Sequence, residues 1–153
     1  MSEREQTIKE YEEFSKKYGL PKLEELEEEF EIKLQPPFLG QLLSLLYERF
    51  MYGAGHIEKV MYPQSPYDMF ESRFHTDEQK KPLFAFYQQL MSKMHTITHT
   101  VYKKREDRVK CCKEMLTFYH QTFAPFMAKF VAEHAKKWSE IETKEEKKES
   151  YMG

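Results

Sequence analysis

Apolar residues recur every three to four positions through most of this 153-residue chain, and this spacing limits the folds open to it. Such a repeat lines one face of an α-helix with apolar side chains and leaves charged residues on the other faces. The clearest stripes lie within residues 37–62, 80–104 and 108–143. Their main members are Leu39, Leu43, Leu46, Phe50, Ala54, Ile57 and Met61; Leu83, Phe86, Leu90, Met94, Ile97 and Val101; and Val109, Cys112, Leu116, Tyr119, Phe123, Phe126, Phe130, His134 and Trp138.

These stripes predict an all-α, single-domain helical bundle of four to six helices, two or three of them long. We expect residues 1–143 to form the domain, with residues 1–34 as an amphipathic helical arm packed on the bundle 37–143. Residues 144–153 are charged and poor in apolar side chains, so they are expected to fray. Pro125 predicts a kink in the last helix near Gln121, because proline lacks an N–H and clashes with the carbonyl four residues earlier.

Local sequence signals mark several helix ends. Gly19 suits the left-handed conformation that commonly follows a helix. Ser65 and Pro66 form an N-cap followed by a first-turn proline, and Thr76 with Gln79 matches the capping-box pattern. These signals predict helices that end before Gly19 and begin after Ser65 and Thr76.

Three residues interrupt the helical stripes. Gly53 and Gly55 lie inside the most apolar segment, where each costs about 1 kcal/mol, so they weaken the helix or mark a close helix crossing. Pro82 lies one turn after the Thr76 cap, so the helix there begins nearer Lys80 or bends.

The balance of charge limits the functional classes. Charged residues make up 33% of the chain but the net charge is only −2, which argues against disorder and against a dedicated nucleic-acid-binding protein. The chain is rich in Glu and Lys and contains no Asn, which is the direction seen in heat-adapted proteins and suggests a thermophilic source.

The cysteines and the apolar runs bear on the cellular compartment. Cys111 and Cys112 are adjacent, a spacing that fits neither a disulfide framework nor a zinc or redox site. Cys112 falls on the core stripe, where we expect it to pack as a small apolar residue. No apolar run approaches 18 residues and the N-terminus has no signal-peptide pattern, so the expected location is cytoplasmic.

The candidate metal ligands are His95 and His99, which are four residues apart and therefore share a helical face. The glutamate that completes a His-Glu-x-x-His motif is absent, so the alternative is a pair of boundary or surface histidines. His134 instead falls on the apolar stripe of the last helix, where we expect a buried, hydrogen-bonded residue that can respond to pH.

The strongest charge feature is a basic patch in residues 103–113. Six basic residues against Glu106 and Asp107 give it a net charge of +4, whereas residues 1–34 carry 11 Glu against 6 Lys or Arg, a net charge of −5. The patch is a solvated turn, a docking surface for the acidic arm within one chain or between two copies, or a phosphate-binding surface. Its members are Lys103, Lys104, Arg105, Arg108, Lys110 and Lys113.

The sequence alone does not determine a function, and no motif in it indicates a catalytic residue or a bound cofactor. The leading hypothesis is a non-catalytic helical protein-interaction module that binds a protein partner or forms a homo-oligomer, supported by its many aromatic and Met residues. The alternatives are a metal-binding bundle that uses His95 and His99, and a nucleic-acid accessory protein that uses the basic patch. No membrane association is expected.

Overall fold

All secondary structure in the described part of the chain is helical, which confirms the predicted all-α class. The computed structural model describes residues 2–152, and their side chains as far as residue 141. In order, the helices are α1 (Glu3–Tyr18), α2 (Leu23–Phe30), α3 (Phe38–Met61), α4 (Pro66–Ser72), α5 (Asp77–Thr100), α6 (Arg105–Phe118), a π-helical segment (Tyr119–Phe123) and α7 (Ala124–Met152). The last three follow one another without a break, so the chain folds into six helical rods in a single-domain bundle.

The helix ends follow the local signals in the sequence. Gly19 has φ 64° and ends α1, and the Ser65 side chain accepts a hydrogen bond from the Asp68 backbone at the start of α4. Thr76 and Gln79 form a complete capping box at the start of α5. That cap starts the helix at Asp77 rather than nearer Lys80, so Pro82 is accommodated inside α5.

The centre of the bundle is α3, which contacts α4, α5 and α6. Leu42, Leu46, Phe50 and Ile57 on this helix are completely buried. Burying each such side chain contributes about 1.5–3 kcal/mol, so this helix is a main source of stability. The predicted stripes of α3 and α5 form the core, except for Met61, which is partly buried against it, and Val101. Val101 is 62% exposed, because α5 ends at Thr100 and the chain turns away there.

A π-helical segment joins α6 to α7 immediately before Pro125. It contains Gln121, whose carbonyl lies four residues before that proline, and its wider turn is a known way to fit proline into a helix. The kink predicted near Gln121 stays a prediction. The helix before the segment begins at Arg105, three residues earlier than the predicted start at Arg108.

The first two helices pack on the bundle through Tyr11, which is fully buried. Its hydroxyl donates a hydrogen bond to the Pro21 carbonyl at 2.5 Å, and its ring meets Phe38 edge-on at 5.1 Å between centroids. Arg4 on α1 forms an ion pair with Glu27 on α2. The hydrogen bond and the ion pair join parts of the arm to each other, and the ring contact with Phe38 packs the arm on the bundle.

The tail at 144–153, which the sequence predicts to fray, lies beyond the last described side chain. Its fraying therefore stays a prediction. Among the described helices, none is both long and apolar enough to cross a membrane.

Candidate functional site

A buried, hydrogen-bonded polar cluster lies where α4, the loop after it and α7 meet. Ser65 fixes the start of α4 and the Thr76 capping box fixes the start of α5, so only a short turn separates the two helices. That turn carries His75, while Glu71 lies in the last turn of α4. His134 reaches the same point from the middle of α7.

The three side chains form a continuous hydrogen-bonded chain. Nδ1 of His134 lies 2.6 Å from Oε2 of Glu71, and Nε2 of His134 lies 2.7 Å from Nε2 of His75. An ionised carboxylate only accepts hydrogen bonds, so His134 donates from Nδ1. When both rings are neutral, Nε2 of His134 must then accept a hydrogen bond from Nε2–H of His75. The arrangement therefore links α4, the turn after it and α7 through one chain of side-chain hydrogen bonds.

Aromatic rings enclose this chain and limit its contact with water. The Phe130 ring lies nearly parallel to His75, with 6.0 Å between centroids, and Phe74 meets His134 edge-on at 5.6 Å. His134 is only 8% exposed. A buried polar group must be hydrogen-bonded to be tolerated, and both of its ring nitrogens are. The prediction of a buried, hydrogen-bonded His134 is confirmed.

The surroundings of the cluster lower the basicity of two histidines. Burial lowers the pKa of His75 below its usual value of 6.5, and the neighbouring His134 lowers it further. Burial and then the charge of Lys59 lower the pKa of His56, which lies on α3 close enough to be affected by His134. Both histidines are thus biased toward the neutral form in the folded protein.

We expect the free energy of unfolding to fall as the pH is lowered from above 6.5 through the folded-state pKa values of His56 and His75. In this window the unfolded chain takes up protons that the folded chain does not, so protons favour unfolding. Urea denaturation at a series of pH values measures the effect, and His75→Gln should reduce the slope. An equal slope in the variant would exclude His75 as its source.

Four aromatic rings contact one another beside the polar cluster, and we call them the aromatic surface. They are Tyr67, Phe70 and Phe74 from α4 and the turn after it, and Trp138 from α7. Trp138 stacks on Tyr67 at 5.3 Å and on Phe70 at 5.0 Å, and meets Phe74 edge-on at 5.5 Å. Tyr67 remains 60% exposed and the adjacent Met69 49% exposed. Large apolar side chains at the aromatic surface are therefore exposed to solvent.

An open groove of about 510 Å³ adjoins the aromatic surface through Phe74. Its apolar floor includes Leu83, Phe126 and Phe130, and its rim carries side chains of both charges. The charged rim residues are Lys129, Glu133, Lys136, Lys137 and Glu140.

The predicted metal ligands His95 and His99 lie on the exposed face of α5. Among the residues whose side chains are described, no group of three or more His, Cys, Asp or Glu is placed to hold a metal ion. The structure therefore brings no further such ligand to this pair, and the metal site stays a prediction.

The basic patch lies on the turn after α5 and the first turns of α6. Five of its six members are exposed, and Arg108 is partly buried. The guanidinium of Arg105 lies 5.6 Å from the ring centroids of both Phe14 and Tyr18, so the acidic arm meets the patch through cation–π contacts. No ion pair joins the patch to the arm among the side chains that the structure describes.

The two cysteines are structural. Cys111 and Cys112 are free thiols, 4% and 0% exposed, and burial raises the pKa of Cys112 to about 12. A buried thiol with a raised pKa is a poor nucleophile and a poor metal ligand. The prediction that Cys112 packs as a small apolar residue is confirmed.

Sequence reasoning identified His134 but missed its partners. Glu71 and His75 are 63 and 59 residues away from it in the chain. Their neighbouring sequence gives no sign of the contact beyond the turn that presents His75.

Known proteins give no information about the function of this chain, so a functional proposal must rest on the geometry of these sites. No protein-family model, no curated protein and no solved structure matches the chain significantly.

Proposed function

We propose that this chain is a non-catalytic helical interaction module that pairs with a second copy of itself through the aromatic surface. The observation that carries the proposal is the exposure of Tyr67 and Met69 beside the only Trp of the chain, Trp138. Tyr and Trp are enriched among the residues that dominate binding energy, because they bury a large area at little cost in conformational entropy.

The charges beside the aromatic surface favour a second copy as the partner. Along α7, Glu133 and Glu140 flank Lys136 and Lys137 on the rim of the adjoining groove. A two-fold interface places the same patch on both sides, so the patch must complement itself. A rim that carries both charges around an apolar centre meets this requirement, whereas a rim of one sign would repel its own copy.

The polar cluster supports a structural role beside this interface. Both nitrogens of His134 are occupied by Glu71 and His75, so neither is free to act on a substrate. The cluster instead fixes α4 against α7, the two helices that supply Tyr67 and Trp138. In this way it holds the aromatic surface in one shape.

Sedimentation equilibrium of the untagged chain tests the proposal. The wild type should show a reversible dimer of the 18.6 kDa chain, and Tyr67→Ala should raise the dissociation constant about tenfold or more. Fluorescence of Trp138 provides a second readout, since its surroundings change when the aromatic surface is covered.

Tyr102→Ala is the matched control. Tyr102 is 86% exposed but lies on the turn after α5, with no described ring contact, so its loss should leave the dissociation constant unchanged. A wild-type chain that stays monomeric at high micromolar concentration would rule out self-association. A dimer that Tyr67→Ala and Tyr102→Ala weaken equally would place the interface elsewhere.

A further inference from the structure

A second groove, separate from the aromatic surface, lies between α1 and the starts of α3 and α6. It encloses about 480 Å³. One side carries Arg105 and Arg108, and another is an apolar wall that includes Phe14 and Phe38. The remaining lining residues are Glu10, Pro36, Pro37, Leu39 and Gly40.

Arg108, which lines this groove, carries an unsatisfied hydrogen-bond donor. Among the side chains that the structure describes, its Nε is the one buried nitrogen or oxygen without a hydrogen-bond partner. Such a donor is costly because it has lost its water and gained nothing in return, more so when it belongs to a charged group. An acceptor supplied by a ligand would remove this cost.

Arg105 adds a second guanidinium that is already held in position. The Cζ atom of Arg105 lies 5.6 Å from the ring centroids of both Phe14 and Tyr18. These two rings limit the positions that the guanidinium can adopt. Neither Arg105 nor Arg108 forms an ion pair or a hydrogen bond with any described side chain. Two guanidinium groups on one groove therefore retain donors for an external anion.

We infer that this groove binds the phosphate group of a small organic phosphate, with its oxygens on Arg105 and Arg108 and its carbon body on the apolar wall. Arginine forks bind phosphate oxygens in pairs, and a phosphate offers enough oxygens for both forks. Glu106 and Asp107, which flank the arginines in sequence, disfavour a long polyanion such as RNA, because its chain would have to extend past their carboxylates. This inference is independent of the proposed dimer.

The test is a titration of the full-length, isotopically labelled chain, followed through the arginine Nε–H signals in ¹H–¹⁵N NMR spectra. The probes are inorganic phosphate and phenyl phosphate, with ionic strength held constant by sodium chloride. We expect saturable shifts of the Arg108 and Arg105 signals. Phenyl phosphate should bind about tenfold more tightly than inorganic phosphate, because its ring can bury apolar area on the wall.

Arg108→Lys should weaken phenyl phosphate binding by about tenfold, because lysine keeps the charge but lacks the planar fork. The matched control is Lys110→Gln, which removes a charge from the same basic patch outside the groove and should leave binding unchanged. If Arg108→Lys fails to fold, the wild-type titration decides alone.

Any one of four results would overturn the inference. The first is wild-type shifts that do not saturate or that chloride reproduces. The second is an equal loss of binding in Arg108→Lys and Lys110→Gln. The third is binding of single-stranded RNA more tightly than phenyl phosphate, which would indicate an extended surface over the basic patch. The fourth is equal affinity for the two phosphates, which would assign the groove to inorganic phosphate and exclude the organic body.

Discussion

Replacing His134 with alanine is expected to lower the free energy of unfolding by about 2–4 kcal/mol. The imidazole is 8% exposed and contacts the rings of Phe74 and Phe130, so its removal leaves a cavity. It also leaves Glu71 and His75 without the partner that now lies 2.6 and 2.7 Å away. Urea denaturation followed by far-UV circular dichroism measures the loss.

The matched control for this change is His120→Ala. His120 also lies 2.6 Å from a carboxylate, that of Glu29, but the two side chains are 42% and 33% exposed. Exposed pairs contribute about 0–1 kcal/mol because water screens them, so this variant should lose less than about 1 kcal/mol. Similar losses in the two variants would show that the buried chain through His134 contributes no more than a surface pair.

The helix boundaries were the most predictable part of this fold, because the signals that set them are local. Gly19, Ser65 and Thr76 each act on backbone groups within four residues of themselves. The start of α6 was predicted three residues late because Lys104 precedes it without a side-chain cap. The acidic residues of its first turn, Glu106 and Asp107, are a weaker signal than a cap and do not fix the first residue.

Of the three residues of the polar cluster, only His134 could be predicted from the sequence. His134 stands out because an imidazole interrupts an apolar stripe, and burial follows from the stripe itself. Its partners depend on how α4 lies against α7, which no local pattern specifies. His95 and His99 show the converse, since their local spacing is suggestive while the bundle leaves both on an exposed face of α5.

The π-helical segment is a similar case. Pro125 predicts a disturbance near Gln121, because a proline cannot continue the regular hydrogen-bond pattern. It does not specify whether the helix breaks, bends or widens. The segment Tyr119–Phe123 adopts the wider turn, and it places Phe123 against α3 at Gly53. That contact depends on both helices. It explains Gly53 as a site of close helix approach, which the apolar stripe alone could not distinguish from a weak point in the helix.

Adding one methyl group at Gly53 is expected to lower the free energy of unfolding by about 1–2 kcal/mol, whereas the same change at Gly55 should raise it by about 1 kcal/mol. Alanine favours the helix equally at both positions, so their difference isolates the packing. A Cβ at Gly53 would lie 2.7 Å from Cε2 and 2.9 Å from Cζ of Phe123, but at Gly55 nothing lies within 4 Å.

The Phe123 ring has little room to move away from Gly53→Ala. It is 6% exposed and packs against Phe50 at 5.1 Å and Phe86 at 6.2 Å between centroids. The clash could be relieved only if α3 moved away from the π-helical segment. That movement would open the core at Phe50. Urea denaturation of the two alanine variants beside the wild type measures both signs. A Gly53→Ala chain as stable as Gly55→Ala would show that α3 and the π-helical segment do not approach as closely as this.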